Sequence, residues 1–555
     1  MPSAASIRET IESIAIAFVL AFLFRTFEAE AFVIPTGSMA PTLMGRHKDV
    51  RCPICEYPFQ VNASEEVDRD GRPRLLGDRV GSCICPMCRY TMAINDQNPQ
   101  PSYSGDRIIV NKFSYQFEDP KRWDVIVFYY PEEAHDNFIK RLVGLPRETV
   151  RIRFGDIWIR NENDNSPEPD DRQEFRIARK PPEKLLAMFQ PVFDNEYMPA
   201  IARYGWPVRW QTDPVSSDPA GAWTSEKYTV FQTDGTSSGE VWLRYHHLVP
   251  SFGQWTNVKQ TGKPSEDQIN PQLITDFAPY NTNRNRLTSE TRPYPTPDIL
   301  GLHWVGDLAV SATVELENAV GQVVLELVKG GQQFQCRLDV ATGQATLSIS
   351  GDDMQNFHPT AETKFRGPDK YDLIFSNCDR QILLWVDGEV VKFDAPTEYD
   401  DLHNTRPTSL DLAPVGIASQ GVKMKVSRLK IYRDIYYIAG NKTVDFLDDY
   451  IRLPSLLTMG GFAQFLSDPK QWSAFDESNM RKVDFTLKDD QYFALGDNSA
   501  KSRDSRLWNK QHWINRELLK GKALFIYWPH SWNRIPYLNI PFPFFPNFSS
   551  MHFIE

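Results

Sequence analysis

Two blocks of short β-branched and aromatic runs, one early and one late with more than three hundred residues between them, constrain this chain more than any other feature. The early block carries "GDRIIVNKF" (105–113), "WDVIVFYYP" (123–131) and "NFIKRLVGLPRETVRIRFGDIWI" (137–159). The late block carries "QYFALGDNSAKSRDSRLW" (491–508) and "GKALFIYWP" (521–529), which repeat the same texture. Such runs, bounded by Gly, Asp and Pro, read as strands, and Gly144-Leu145-Pro146 as a turn between two of them. The fold class expected is therefore mainly β.

The residues between the blocks have a different character. From 161 to 299 they are rich in Pro, Asp, Asn and Arg with scattered strand-like pieces, and no firm structure is expected there. From 300 to 437 the runs "DLAVSATVEL", "GQVVLELV", "FQCRLDV", "QATLSIS", "YDLIFSN", "QILLWVDGEVVKF" and "MKVSRLKIYRD" alternate between turn residues, the signature of a β-sandwich, with Asp387-Gly388 as a hairpin turn. In texture this stretch resembles a laminin-G or concanavalin-like jelly roll; an unrelated β-sandwich is the alternative. A return segment, 438–484, contains "GGFAQFL", read as a short helix. A Phe/Pro-rich tail, 536–555, is too short and too broken by Pro to span a bilayer as a helix.

The chain opens on an apolar run, 14–24, which extends to 11–27 if Glu12 and Arg25 reach to the two interfaces. Length and flanking charge leave a transmembrane anchor, a signal peptide and an interfacial helix all open. The formal net charge is −11, and no basic run interleaved with aromatics is present, which argues against a nucleic-acid partner. The 555 residues allow three or four domains.

Five of the seven cysteines crowd into 52–88. "CPIC" (Cys52, Cys55) and "CPMC" (Cys85, Cys88) are two CxxC knuckles, a spacing that puts two thiolates on each of two tight turns and so makes a tetrahedral Zn²⁺ site of the zinc-ribbon kind. A pair of disulfides is the alternative, with Cys83 left over. A catalytic zinc would call for His or carboxylate and an open position, so the expected zinc is structural. Cys336 and Cys378, in the sandwich, read as buried apolar residues.

Directly after the apolar run comes "AFVIPTGSMAPTLMG" (31–45), a loop stiffened at Pro35 and Pro41, freed at Gly37, and carrying Thr36, Ser38 and Thr42. It reads either as a polar turn or as a presented nucleophile. None of the ten histidines sits in a motif that suggests a general base for Ser38, but a lysine amine can serve where burial lowers its pKa. Lys140, in the apolar strand "FIKR", is the candidate; a lysine that merely extends from a strand to water is the alternative.

The order "IPTGSMAPTL", "GDRIIVNK", "WDVIVFYYP" to "FIKRLVGLPRETV" and "GDNSAKSRDSR", after an N-terminal apolar segment, resembles bacterial type I signal peptidase, the membrane-bound Ser/Lys leader peptidase. The likeness covers about 7–50, 101–160 and 485–530. It implies a signal-peptidase-like β-core (29–50, 101–160, 485–535) behind a transmembrane anchor at 7–28. It also implies two insertions, a zinc-ribbon-like one at 51–100 and a long one carrying the sandwich, both expected to decorate the core. The implied nucleophile is Ser38 and the implied general base Lys140, with the Ser38 N–H and the Thr36 hydroxyl as oxyanion donors. Ser502 would hydrogen-bond the Lys140 amine, Asp504 and Arg506 would form a supporting salt bridge, and Gly496, Asp497 and Asn498 would shape the loop beside it. Ile34, Met39, Leu43, Phe138 and Ile139 would line shallow pockets for the small side chains of a signal peptide.

Two departures stand out: Ser499-Ala500-Lys501 where the family often has Arg-Asp-Asn, and Arg147-Glu148 where Gly-Asp is usual. The implied activity is removal of signal peptides from exported preproteins, without a catalytic cofactor, by a single-pass protein of the cytoplasmic membrane with its catalytic block outside the cytoplasm. The sandwich would bind glycan or protein, or act as a spacer. The competing readings are a surface binding protein with an inactive core and a soluble self-cleaving repressor.

Overall fold

In a computed structural model of the chain, the residues described are 13–14, 29–68, 71–74, 79–95, 100–162, 175–213, 223–264, 269–285, 301–351, 354–400, 404–440, 449–451, 461–472, 480–529, 532–534 and 540–555. Apart from 13 and 14, the apolar segment 11–27 lies outside them. Among the described residues no helix is long and apolar enough to cross a membrane. The fold is mainly β.

The early and late blocks interleave in one sheet of seven strands. Its order is Ala29–Val33, Arg107–Asn111, Leu519–Trp528, Val125–Tyr130, Glu133–Gly144, Gln491–Leu495 and Ile514–Asn515. The late strand Leu519–Trp528 lies between two early ones, pairing Ile526 with Ile108 and Lys522 with Ile126. The period of two sorts the apolar run at 125–130 onto both faces. Val125 and Val127 pack with Ile34, Met39, Leu43, Ile108 and Val110, whereas Ile126, Phe128 and Tyr130 pack with Leu142, Tyr492 and Trp508. A strand buried on both sides reads as a continuous apolar run, as this one does.

The chain leaves and re-enters this sheet through a second one of four strands, in the order Arg176–Ile177, Asp156–Asn161, Glu148–Arg153 and Val483–Thr486. Everything between is an excursion from one β-core. The C-terminal residues return to it as well: Ile554 N–H donates to the Leu524 carbonyl, and the Glu555 carbonyl accepts from Arg141.

Within the excursion, Leu308–Leu316, Lys370–Cys378, Gln381–Val386 and Met424–Arg433 lie in one sheet. Gln322–Lys329, Gln332–Asp339, Gln344–Ile349 and Val415–Gln420 lie in another, and the two share one buried core. Asp387 and Gly388, at φ 49° and 81°, make the expected hairpin turn, with Trp385 opposite Val390. Cys336 and Cys378 are buried. The expected helix near residue 460 is present as Gly461–Ser467.

The boundary expected at residue 300 does not divide the structure. Gln190–Asp194 and Val230–Thr233 pair with Met424–Arg433, and Val241–Tyr245 pairs with Val415–Gln420, so the sandwich also draws on residues before 300. These strands are four or five residues long, and their partners lie far along the chain, so no local periodicity marks them.

At the turn where the motif order departs from Gly-Asp, Arg147 has φ 62°, the left-handed region that costs a residue with a Cβ about 1–2 kcal/mol. Its side chain is exposed and pairs with exposed Asp489, an arrangement of little net value. Arg147→Gly is expected to raise stability by about 1 kcal/mol, read as an upward shift of the denaturant midpoint; an unchanged or lower midpoint would mean the turn is not strained.

Candidate active site and cysteine cluster

The Ser38 loop is fixed by what it buries. Met39 and Leu43, both 0% exposed, plug into the core beside Ile34, and the loop closes on itself through Ala40 N–H to the Gly37 carbonyl and Leu43 N–H to the Met39 carbonyl. This corrects the expected pocket lining: Ile34, Met39 and Leu43 are core residues, while Phe138 and Ile139 are half-buried. An apolar side chain beside a nucleophile has the same sequence appearance whether it faces substrate or core. Thr36 is exposed two residues before Ser38.

Lys140 enters from Glu133–Gly144, opposite Ile126. Its Nζ lies 2.6 Å from Ser38 Oγ and 2.8 Å from the Ile139 carbonyl oxygen, to which it donates. Burial pushes the amine down to about 8, although Asp504 and Asp497 pull it upward; Arg506 opposes them. In the neutral state the hydroxyl is the donor and the amine lone pair the acceptor, the direction in which a base takes a proton.

Both nearby carboxylates are committed elsewhere. Asp504 accepts from Arg506 Nε and Nη2, each at 2.8 Å, and from the Gly496 N–H at 3.0 Å. Asp497 accepts from Arg141 Nε and Nη2 at 2.8 Å and from the Thr42 hydroxyl at 2.6 Å. The side chains of both pairs are fully buried. Arg506 spends its remaining donors on the Ile438 and Ser499 carbonyls and the Ser499 hydroxyl. Arg141, directly after Lys140, was not singled out by sequence, where it reads as an ordinary strand cation.

Ser502 is buried against this group, but its hydroxyl has no hydrogen-bond partner among the described residues, so the bond to Lys140 implied by the motif is not made. Instead the oxygen lies against Gly496, where an added Cβ would sit 2.2 Å from it. Asn498 reaches the Ser38 loop twice. Its Nδ2 donates to the Gly37 carbonyl at 2.9 Å, and its backbone N–H to the Ser38 carbonyl at 3.1 Å. Against the same loop lie Tyr280 and Asn281, from the stretch for which no structure was expected. No sequence signal marks them, because "APYNTN" reads as a polar turn.

The two CxxC knuckles fold alike. Cys52 N–H donates to the Tyr57 carbonyl and Glu56 N–H to the Cys52 carbonyl, and Cys85 with Tyr90 and Arg89 repeats both bonds. Glu56 and Arg89 take matching φ values of 64° and 57°. All four sulfurs are buried and lie within 4.8 Å of one another. Cys52 and Cys88 are 3.5 Å apart, as are Cys55 and Cys85. That is well beyond a covalent S–S bond of about 2.05 Å, and close to the edge of about 3.8 Å of a tetrahedron with metal–sulfur distances near 2.3 Å. The donor set therefore fits a metal ion.

The signal peptidase, peptidase S26 family model matches residues 83–198 and 386–528. A signal peptidase I from Leptolyngbya laminosa is 31% identical over 162 residues, 28% of this chain and 50% of that protein. A probable signal peptidase I-2 from Synechocystis sp. is 29% identical over 149 residues, 26% and 41%. A signal peptidase I from Pseudomonas aeruginosa is 49% identical over 59 residues, 8% and 21%. The chain spans half or less of the length of these relatives. Among solved structures, the carbohydrate binding module CBM66 from Bacillus subtilis covers 40% of this chain and 95% of its own at 9% identity, with a TM-score of 0.22, too low to carry an argument. The family model and these relatives agree on the type I signal peptidases as what the chain is similar to. The chain is a type I signal peptidase relative with extra regions.

Asp497→Ala leaves the Arg141 guanidinium buried without its carboxylate, and is expected to lower stability by about 3–5 kcal/mol. Equilibrium denaturation checks this; a loss below 1 kcal/mol would mean that water reaches the pair.

Proposed function

We propose that the chain is a membrane-anchored serine endopeptidase that removes N-terminal signal peptides from exported preproteins. The observation that carries this reading is the 2.6 Å separation of Ser38 Oγ from a buried Lys140 amine held down at about 8. A neutral amine at that distance takes the hydroxyl proton as Oγ attacks the scissile carbonyl. The oxyanion that forms is met by the Ser38 N–H and the Thr36 hydroxyl, where one well-aimed donor lowers the barrier by about 3–4 kcal/mol. The protonated amine then gives its proton to the leaving nitrogen as the C–N bond breaks. The same lysine activates the water that releases the acyl group. Phe138 and Ile139, half-buried beside Lys140, would contact the small side chains before the scissile bond. Rotation of the Ser502 hydroxyl away from Gly496 would let it orient the amine.

The family likeness supports a membrane anchor at 11–27 and a catalytic block outside the cytoplasm. Cys52, Cys55, Cys85 and Cys88 would hold one structural Zn²⁺, supported by their sulfur spacing. The ion would tie the two knuckles together. The sandwich would bind glycan or protein, or act as a spacer.

The test is cleavage of a peptide spanning an Ala-X-Ala junction by the detergent-solubilised chain. Cleavage after the second Ala is expected for wild type, and background rates for Ser38→Ala and Lys140→Ala. The neutral fraction of Lys140 falls as protons are added, so the rate should rise about tenfold per pH unit below about pH 8 and level off above it. Cleavage that survives either substitution would sink the dyad. For the cysteines, metal analysis should give one zinc per chain, and a chelator should lower the unfolding temperature until zinc is restored. A metal-free protein indifferent to the chelator would remove the zinc site.

A further inference from the structure

The segment Pro279–Asn281 belongs to the long excursion, yet it forms one wall of the Ser38 loop. The Tyr280 ring lies on Gly37 so closely that a Cβ there would come within 2.1 Å of its Cε1. Asn281 and Asn498 form a closed amide pair: Asn281 Nδ2 donates to Asn498 Oδ1 at 2.6 Å, and Asn498 Nδ2 donates to Asn281 Oδ1 at 2.8 Å. Both residues are buried, at 2% and 6% exposure. The second hydrogen on Asn498 Nδ2 is the one that holds the Gly37 carbonyl.

That carbonyl shares a rigid peptide plane with the Ser38 N–H, on the opposite side of the bond. Holding the carbonyl therefore aims the N–H. The plane of the Asn498 amide is in turn held by Asn281, whose own position comes from the inserted modules. Thr282 Oγ1 accepts from the Ile84 N–H at 3.0 Å, next to the Cys85 knuckle. Arg433, at the end of a sandwich strand, donates to the Asp276 and Phe277 carbonyls, and the Arg89 guanidinium lies 3.3 Å from the centre of the Phe277 ring.

We propose that Asn281 is a positioning residue for the peptidase reaction: through Asn498 it orients the Gly37–Ser38 peptide so that the Ser38 N–H points at the developing oxyanion. The inserted modules thereby complete the active site. The inference rests on the peptidase reading given above, with Ser38 as nucleophile.

The experiment compares the full detergent-solubilised wild type with Asn281→Ala and with Asn281→Leu, which keeps the volume, on the Ala-X-Ala peptide. Removing one oxyanion donor outright costs about 100- to 1,000-fold in kcat, so loosening its aim should cost about 10- to 100-fold. KM should stay within about twofold of wild type. The pH midpoint set by Lys140 should not move. A peptide aldehyde, whose adduct with Ser38 carries the oxyanion, should lose affinity in step with kcat, while a non-cleavable peptide of the same sequence keeps its affinity. If wild type cleaves and either folded variant keeps kcat within twofold, the inference is overturned. It is also overturned if the non-cleavable peptide or the pH midpoint shifts along with kcat, since the role is then general support of the site. If wild type itself does not cleave, the peptidase reading fails and this inference with it.

Discussion

Removal of the Lys140 amine from water, offset only in part by two carboxylates already paired with arginines, is the constraint on which the site depends. A buried ammonium would ordinarily find an acid to pair with, and its basicity would then rise instead of falling. Here the two acids within reach, Asp497 and Asp504, are each clamped by an arginine in two-point contact and receive a further hydrogen bond. The amine meets a serine hydroxyl and a peptide carbonyl, both uncharged. Burying two ion pairs costs several kcal/mol per ion before their attraction is counted. The geometry recovers that through bidentate contact and through carbonyls that use up the outlying guanidinium donors.

Those pairs tie together parts of the chain that are remote in sequence. Asp497 joins the strand that carries Lys140 to the loop that carries Ser38, through Arg141 and Thr42. The interleaved sheet makes this arrangement tolerant of a long excursion, because the late strand Leu519–Trp528 inserts between two early ones and closes the core independently of what precedes it. The excursion is not a free appendage, however. Trp255 donates to the Cys88 carbonyl and Arg209 to the Met87 carbonyl, so the cysteine module and the sandwich, separate in sequence, share one core. The segment 276–282 hangs from both and presses on Gly37.

What was legible in the sequence follows from how local each signal is. The core strands announce themselves by runs of Val, Ile, Phe and Tyr, and the knuckles by their Cys-Pro-x-Cys spacing, because both depend on neighbours a few residues away. Lys140 was a candidate from its apolar strand and motif order pointed to the same pair, since nothing in "FIKR" alone separates a buried amine from an exposed one. The apolar residues at 34, 39 and 43 were expected to line substrate pockets because the resemblance implies it, and hydrophobicity alone does not say whether substrate or core covers them. Asn281 and Tyr280 were invisible for the opposite reason. Their significance is wholly tertiary, an amide and a ring in a turn-like stretch whose partners are more than two hundred residues away.

The wide separation of Asn498 from Gly37, 461 positions along the chain, has a consequence in time. A ribosome adding about 5–20 residues per second emits the Ser38 hydroxyl on the order of a minute before the residues that clamp its loop. Until Asp497 arrives, Arg141 has no carboxylate partner, and until the last strands close the sheet Lys140 keeps the hydration that favours its charged form. The Ser38 loop is thus without its clamps for most of the time the chain takes to make.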